Sequence, residues 1–189
     1  HFIDLRSIGI VAEDGREYYA ISNEYDYHKA SEWVQKNVII PMYIDTVHGD
    51  SRNRCYADNF QNIYGKSNKQ IAEDILLFTG CWRDALFWRA GNDVPEIYGY
   101  YADYDWVLFC SLFGRMIDLP KGFPMYCRDL KQMLDEREDK NGLYKYDGGE
   151  MTLSMLKQQA AYPKLTKEHN ALADAKWNFD LYKFIIQNI

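Results

Sequence analysis

Glu96-Ile97-Tyr98-Gly99-Tyr100-Tyr101-Ala102-Asp103-Tyr104-Asp105-Trp106-Val107-Leu108-Phe109-Cys110-Ser111-Leu112-Phe113 changes structural type within a single run. Residues 96–101 follow Pro95, are rich in Tyr and Ile, and predict a strand. Residues 103–113 predict a buried helix that Gly114 stops. Asp103 stands where an N-cap would be, and Asp105 falls in the first turn. Strands that feed directly into helices are the mark of an α/β domain.

The flanking sequence extends this pattern. Residues 3–12 carry Ile3, Leu5, Ile8, Ile10 and Val11 and read as a strand. Glu13-Asp14-Gly15-Arg16 supplies an Asp-Gly turn, residues 17–21 read as the returning strand, and Asp14 is a turn residue. Residues 26–38 look helical, with Ala30, Trp33, Val34 and Val38 on one face. From 39 to 66 the periodicity fails, and Pro41, Gly49 and Gly65 predict a long irregular excursion. It holds His48, Arg52 and Arg54, read as solvated loop residues, with contact to a polyanion as the sharper alternative.

Ser67 caps a clear helix over 67–78 with Ile71, Ile75 and Phe78 on one face and Gly80 after it. Downstream, residues 125–127 read as a short strand, and Asp129 opens a helix through 135. The charged stretch 136–149 reads as a surface connection, and 151–159 as a short helix. The last helix shows Leu172, Ala175, Phe179, Tyr182 and Ile186 at helical spacing. A strand pair followed by alternating helices and strands implies one α/β domain, residues 1–189, with a mixed sheet flanked by helices.

Composition narrows the function. A chain of 189 residues with 47% hydrophobic content can bury a real core. No uninterrupted apolar run reaches bilayer length, so no membrane segment is expected. The four cysteines, Cys55, Cys81, Cys110 and Cys127, form no Cys-x-x-Cys and predict reduced core thiols in a cytoplasmic protein. A net charge of −6 argues against a broad grip on duplex nucleic acid, but not against a small site where cations neutralise phosphate. Of the aromatics, most are expected in the core and a few as stacking platforms.

The chemistry centres on Glu168-His169-Asn170-Ala171-Leu172-Ala173-Asp174-Ala175. In one continuous helix, five residues turn about 500° and leave His169 and Asp174 about 140° apart. They converge only if His169 lies in the approach loop and Asn170 caps a helix starting after it. Asp105 and Asp174 would then both sit in first helical turns, where carboxylates can hold hard divalent ions such as Mg²⁺ or Mn²⁺. Two such ions favour phosphodiester cleavage, and a nearby histidine can take a proton from water at neutral pH. Taken singly, each acid is equally explained by the helix dipole.

The order of these residues is similar to that of the DEDDh 3′–5′ exonucleases, relatives of proofreading exonucleases and oligoribonuclease with an RNase H-like fold. That resemblance implies His169 as general base and Asp105 and Asp174 as metal ligands. The opening hairpin, Trp33-Val34 with Asn37-Val38, the run 100–106 and Gly122-Phe123-Pro124-Met125-Tyr126-Cys127 resemble the RNase AS-like branch of bacteria and phages. The branch implies trimming of single-stranded RNA from its 3′ end, release of nucleoside 5′-monophosphates, a taste for adenylate tails and a homodimer. Trp106 and Lys164 are the candidate substrate contacts, bordering the terminal base and touching phosphate.

The chain departs from the family at its first motif, Asp-x-Glu. Asp4 is followed two positions later by Arg6, so it does not fill that role. The opening His1-Phe2, without an initiator Met, leads to the expectation that residues precede it and carry the first strand. The alternatives are an inactive nucleic-acid or nucleotide-binding module without that strand, and a DNA exonuclease of the same family.

Overall fold

The computed structural model describes residues 3–47, 55–81 and 94–189. The expected hairpin is present: β1 (Ser7–Val11) pairs antiparallel with β2 (Glu17–Ile21), placing Ile8 opposite Ala20 and Ile10 opposite Tyr18. β1 is shorter than the expected 3–12, although the Arg6 carbonyl still accepts from the Ser22 N–H.

The stretch after the hairpin corrects the sequence reading. Instead of one helix over 26–38, a 3₁₀ turn (Tyr27–Lys29) precedes α1 (Glu32–Val34), which Ser31 caps through the Val34 N–H. The helix then passes through a π turn (Gln35–Ile39) into α2 (Ile40–Val47). Pro41 was expected to break the pattern, and it does not. Its missing N–H falls next to the widened turn, where the Ile40 N–H already reaches back to the Gln35 carbonyl. A further short helix, α3 (Gln61–Tyr64), lies inside the supposed irregular excursion. His48, Arg52 and Arg54 lie outside the described residues.

The helix after Ser67 forms as read. In α4 (Asn68–Thr79) Ser67 and Gln70 make a reciprocal capping box, and Gly80 ends the helix at φ +74°, a left-handed conformation that favours glycine. The strand-to-helix switch follows in tighter form. β3 spans only Tyr98–Gly99, Ala102 rather than Asp103 occupies the N-cap position, and α5 runs Asp103–Ser111. This helix is not buried throughout: Phe109 and Cys110 face inward, while Tyr104 and Val107 are exposed.

β3 pairs in parallel with β4 (Arg128–Asp129), which replaces the strand expected at 125–127. Asp129 caps α6 (Leu130–Asp135) as expected. The supposed surface connection forms a second hairpin, β5 (Tyr144–Tyr146) with β6 (Gly149–Met151), anchored by the fully buried Tyr144. α7 (Leu153–Leu156) is shorter than expected, and α8 (Ala171–Asn188) closes the chain. The expected single mixed sheet is replaced, among the described residues, by three two-stranded pairs, one of them parallel. No described helix is long and apolar enough to cross a membrane.

Side-chain alternation explains how helices cover the first hairpin. Ile8 and Ile10 point to one face and pack with Ile71 and Ile75 of α4 and Phe109 of α5. Gly9 points to the other face, where α8 lies against it. A Cβ at Gly9 would stand 2.2 Å from the Ala171 carbonyl oxygen and 2.6 Å from the Leu172 Cα. Only glycine permits that approach, and it sets the start of α8 directly on β1. The far half of α8 buries Leu181, Phe184 and Ile185 against Leu130, Leu134, Tyr144 and Leu156. That inner face differs from the expected stripe, in which Ile186 is exposed. A third cluster, built on Ile39, Met42 and Phe60, sits beneath α1 and α2.

Candidate active site

Local capping chemistry places the histidine and the aspartate as the sequence predicts. Asn170 has extended φ/ψ, and its side-chain oxygen accepts from the Ala173 N–H at 3.0 Å. Helix α8 therefore begins after His169, which sits outside it at φ +65° and is solvent-exposed. A non-glycine residue at this φ is strained and persists only where its surroundings hold it. The His169 and Trp33 rings meet edge to face, with centroids 5.0 Å apart and planes at 77°. Upstream, the Trp177 indole N–H donates to the Pro163 carbonyl at 3.1 Å and fixes the start of the approach loop.

Asp129 fixes the start of the helix that carries Asp105. One carboxylate oxygen of Asp129 accepts from the Lys131 and Gln132 N–H groups, and the other from the Ala102 N–H at 2.9 Å. The starts of α5 and α6 are thereby tied together. Gly99 runs close beneath Ala102, so strand and helix join tightly.

His169 and Asp105 are both near enough to Asp174 for their charges to act on it. Burial pushes the Asp174 carboxyl up to about 6; the His169 charge pulls it down, and the Asp105 and Glu168 charges push it up. Asp105 lies on an exposed part of α5, yet the protein around it removes enough water to raise its carboxyl too. The Cys127 thiol is pushed up to about 12 by burial, then by the charges of Asp129, Asp105 and Asp103. At physiological pH it is therefore held as the thiol, the form that is a poor nucleophile.

Two carboxylates that both resist ionisation, one partly because of the other, suit a divalent cation that prefers oxygen ligands. They are only part of such a site. Among the described residues, no three His, Cys, Asp or Glu side chains form a group that could hold a metal ion.

The Asp174 shift has a measurable sign. Its folded pKa lies above the ordinary value of 3.8, so the folded state takes up a proton as pH falls through about 6, before the unfolded chain does. In the metal-free protein this group therefore destabilises the fold above about pH 6, and that cost disappears as pH falls toward 4. Discounted for partial solvent exposure, the cost is about 1–2 kcal/mol. Asp174→Asn is expected to stabilise the EDTA-treated protein by about that amount at pH 7 and by much less at pH 4. Denaturant midpoints at the two pH values check this, and a variant no more stable than wild type at pH 7 contradicts it.

The two weaker sequence candidates are occupied elsewhere. The Trp106 ring stacks on Phe109 at 5.2 Å within the cluster that includes α4, and its buried N–H finds no partner. The Lys164 ammonium donates to the Lys157 carbonyl and lies over the Tyr162 ring. Neither is aimed at the His169 site by these contacts.

Sequence reasoning missed Asp45. From α2, its carboxylate accepts from Lys167 Nζ at 3.1 Å on each oxygen and from Asn170 Nδ2 at 3.4 Å. A cavity of about 260 Å³ opens beside it, lined by Ser7, Tyr19, Met42, Asp45, His169 and Asn170 among others. No local signal marks Asp45, because its partners are more than 120 residues away in sequence.

No family model matches the chain. Two curated relatives from Mycobacterium tuberculosis are both named 3′–5′ exoribonuclease: Rv2179c of strain ATCC 25618 / H37Rv and MT2234.1 of strain CDC 1551 / Oshkosh. Each is 33% identical over 139 residues, a match that covers 72% of this chain and 68% of the relative. At that identity and coverage, the chain belongs to the family of these 3′–5′ exoribonucleases.

Proposed function

We propose that the protein is a metal-dependent 3′–5′ exoribonuclease of the DEDDh type, acting on single-stranded RNA ends. The observation that carries this reading is the electrostatic grouping of His169, Asp174 and Asp105 in a relative of named 3′–5′ exoribonucleases. Asp105 and Asp174 would hold Mg²⁺ or Mn²⁺ together with the acids of an Asp-x-Glu motif that the resemblance implies. Bound there, the ions would supply Lewis-acid stabilisation of the phosphate and of the departing oxygen.

The chain's own residues do the rest. His169 is exposed and makes no hydrogen bond among the described residues, so in this reading its imidazole takes a proton from water. The water oxygen forms a bond to phosphorus as the bond from phosphorus to the 3′ oxygen of the preceding nucleotide breaks. A nucleoside 5′-monophosphate leaves, and the shortened RNA keeps a 3′ hydroxyl. In this reading the α/β arrangement is RNase H-like. Adenylate preference and a homodimer are part of the same proposal.

Timed digestion of a single-stranded RNA with a 3′ adenylate tail, beside a matched DNA, tests it. The expected result is stepwise shortening of the RNA with release of AMP, dependent on Mg²⁺ or Mn²⁺ and abolished by EDTA. Faster cleavage of the DNA would instead identify a DNA exonuclease. RNA binding without hydrolysis in Mn²⁺ would identify a binding module.

A further inference from the structure

We infer that Asp45 is a positioning residue that sets the geometry of His169 by clasping the chain on both sides of it. The inference rests on the reading of His169 as general base. Asp45 reaches Lys167, two residues before the histidine, through both carboxylate oxygens, and Asn170, immediately after it, through one. The intervening backbone contains a strained residue, His169 at φ +65°, which needs contacts outside its own loop to remain in place.

Helix α2 is a suitable anchor for those contacts. It carries Met42 in a buried cluster with Ile39 and Phe60, so the Asp45 backbone is fixed by packing. The same helical segment supplies Trp33, whose ring meets the histidine ring edge-on. Asn170 in turn uses its side-chain oxygen to cap α8 while its side-chain nitrogen reaches Asp45. One carboxylate thus links the approach loop, the helix cap and a packed helix.

Both Asp45 and Lys167 are substantially exposed, so their ion pair adds little to global stability. That separation makes the idea testable, because loss of the clasp changes where the imidazole points without unfolding the protein. A loosened general base costs turnover rather than substrate affinity.

The experiment is a double-mutant cycle on the full chain with Mn²⁺ and a 3′-adenylated RNA: Asp45→Ala, Lys167→Ala, both together, and His169→Ala alongside. The expected result is a fall in kcat of about tenfold for Asp45→Ala, with KM changed less than about twofold. Melting temperature is expected to stay near wild type. The double variant should lose little more than either single one, and Asp45→Asn, which keeps an acceptor for Asn170, should recover much of the loss. Wild-type kcat in Asp45→Ala, or a loss confined to KM, overturns the clasp while an inactive His169→Ala leaves the base assignment intact. Wild-type turnover in His169→Ala overturns the base assignment and the clasp with it.

Discussion

Replacing His169 by alanine is expected to lower kcat by about 10²- to 10⁴-fold while leaving RNA affinity nearly unchanged. The size follows from the role: a group that takes a proton only in the transition state contributes to kcat and not to binding. The structure makes the substitution clean. His169 lies outside α8, is exposed, and donates no described hydrogen bond on which the helix start depends. Asn170 supplies the cap by itself. The variant should therefore melt close to wild type, and any loss of hydrolysis can be assigned to chemistry. Filter binding and single-turnover hydrolysis of the same RNA separate the two quantities. Hydrolysis at the wild-type rate would remove His169 from the mechanism.

The second large effect is structural. Gly9→Ala is expected to destabilise the fold by about 3 kcal/mol or more, at the top of the range for overpacking. The added methyl would meet the Ala171 carbonyl and the Leu172 Cα, which are backbone atoms that no rotamer change can move aside. Either β1 must shift from the cover of α4 or the first turn of α8 must lift, carrying Asp174 with it. A contrasting variant is Gly80→Ala, where a Cβ meets nothing within 4 Å and only the left-handed φ opposes it. That change should cost about 1–2 kcal/mol. Urea midpoints with unchanged m-values would establish the order of the two. A Gly9→Ala protein as stable as wild type would mean that β1 and α8 are not in this contact.

The features that could be read from sequence share a physical origin. Asn170 as a cap, His169 outside the helix, Ser67 as a cap, and Asp129 at the start of α6 all depend on hydrogen bonds between residues two or three apart. Such chemistry is written locally. The Asp-Gly turn of the first hairpin is of the same kind.

What the sequence concealed depends on distant partners or on compensation. Pro41 looks like a helix breaker, and only the π turn beside it shows how the helix survives. The β5–β6 hairpin is charged and reads as a connection, because a single buried residue, Tyr144, provides its anchor. The inner face of α8 was misjudged because the helix serves two neighbours, Gly9 near its start and the Tyr144 cluster near its end. A single apolar stripe is a poor description of such a helix. Asp45 carried no motif at all, since its significance lies in two side chains from the other end of the chain.

The packing of α8 on β1 also sets a timetable. β1 ends at Val11 and the helix that covers it begins at Ala171, so the strand is made well before its cover. At about 5–20 residues per second, the newly made hairpin waits roughly ten to thirty seconds for its partner. During that interval its Gly9 face is bare. The same delay keeps His169 and Asp174 away from Asp105 until the residues between them have been made. The candidate centre is thus assembled from segments made far apart in time.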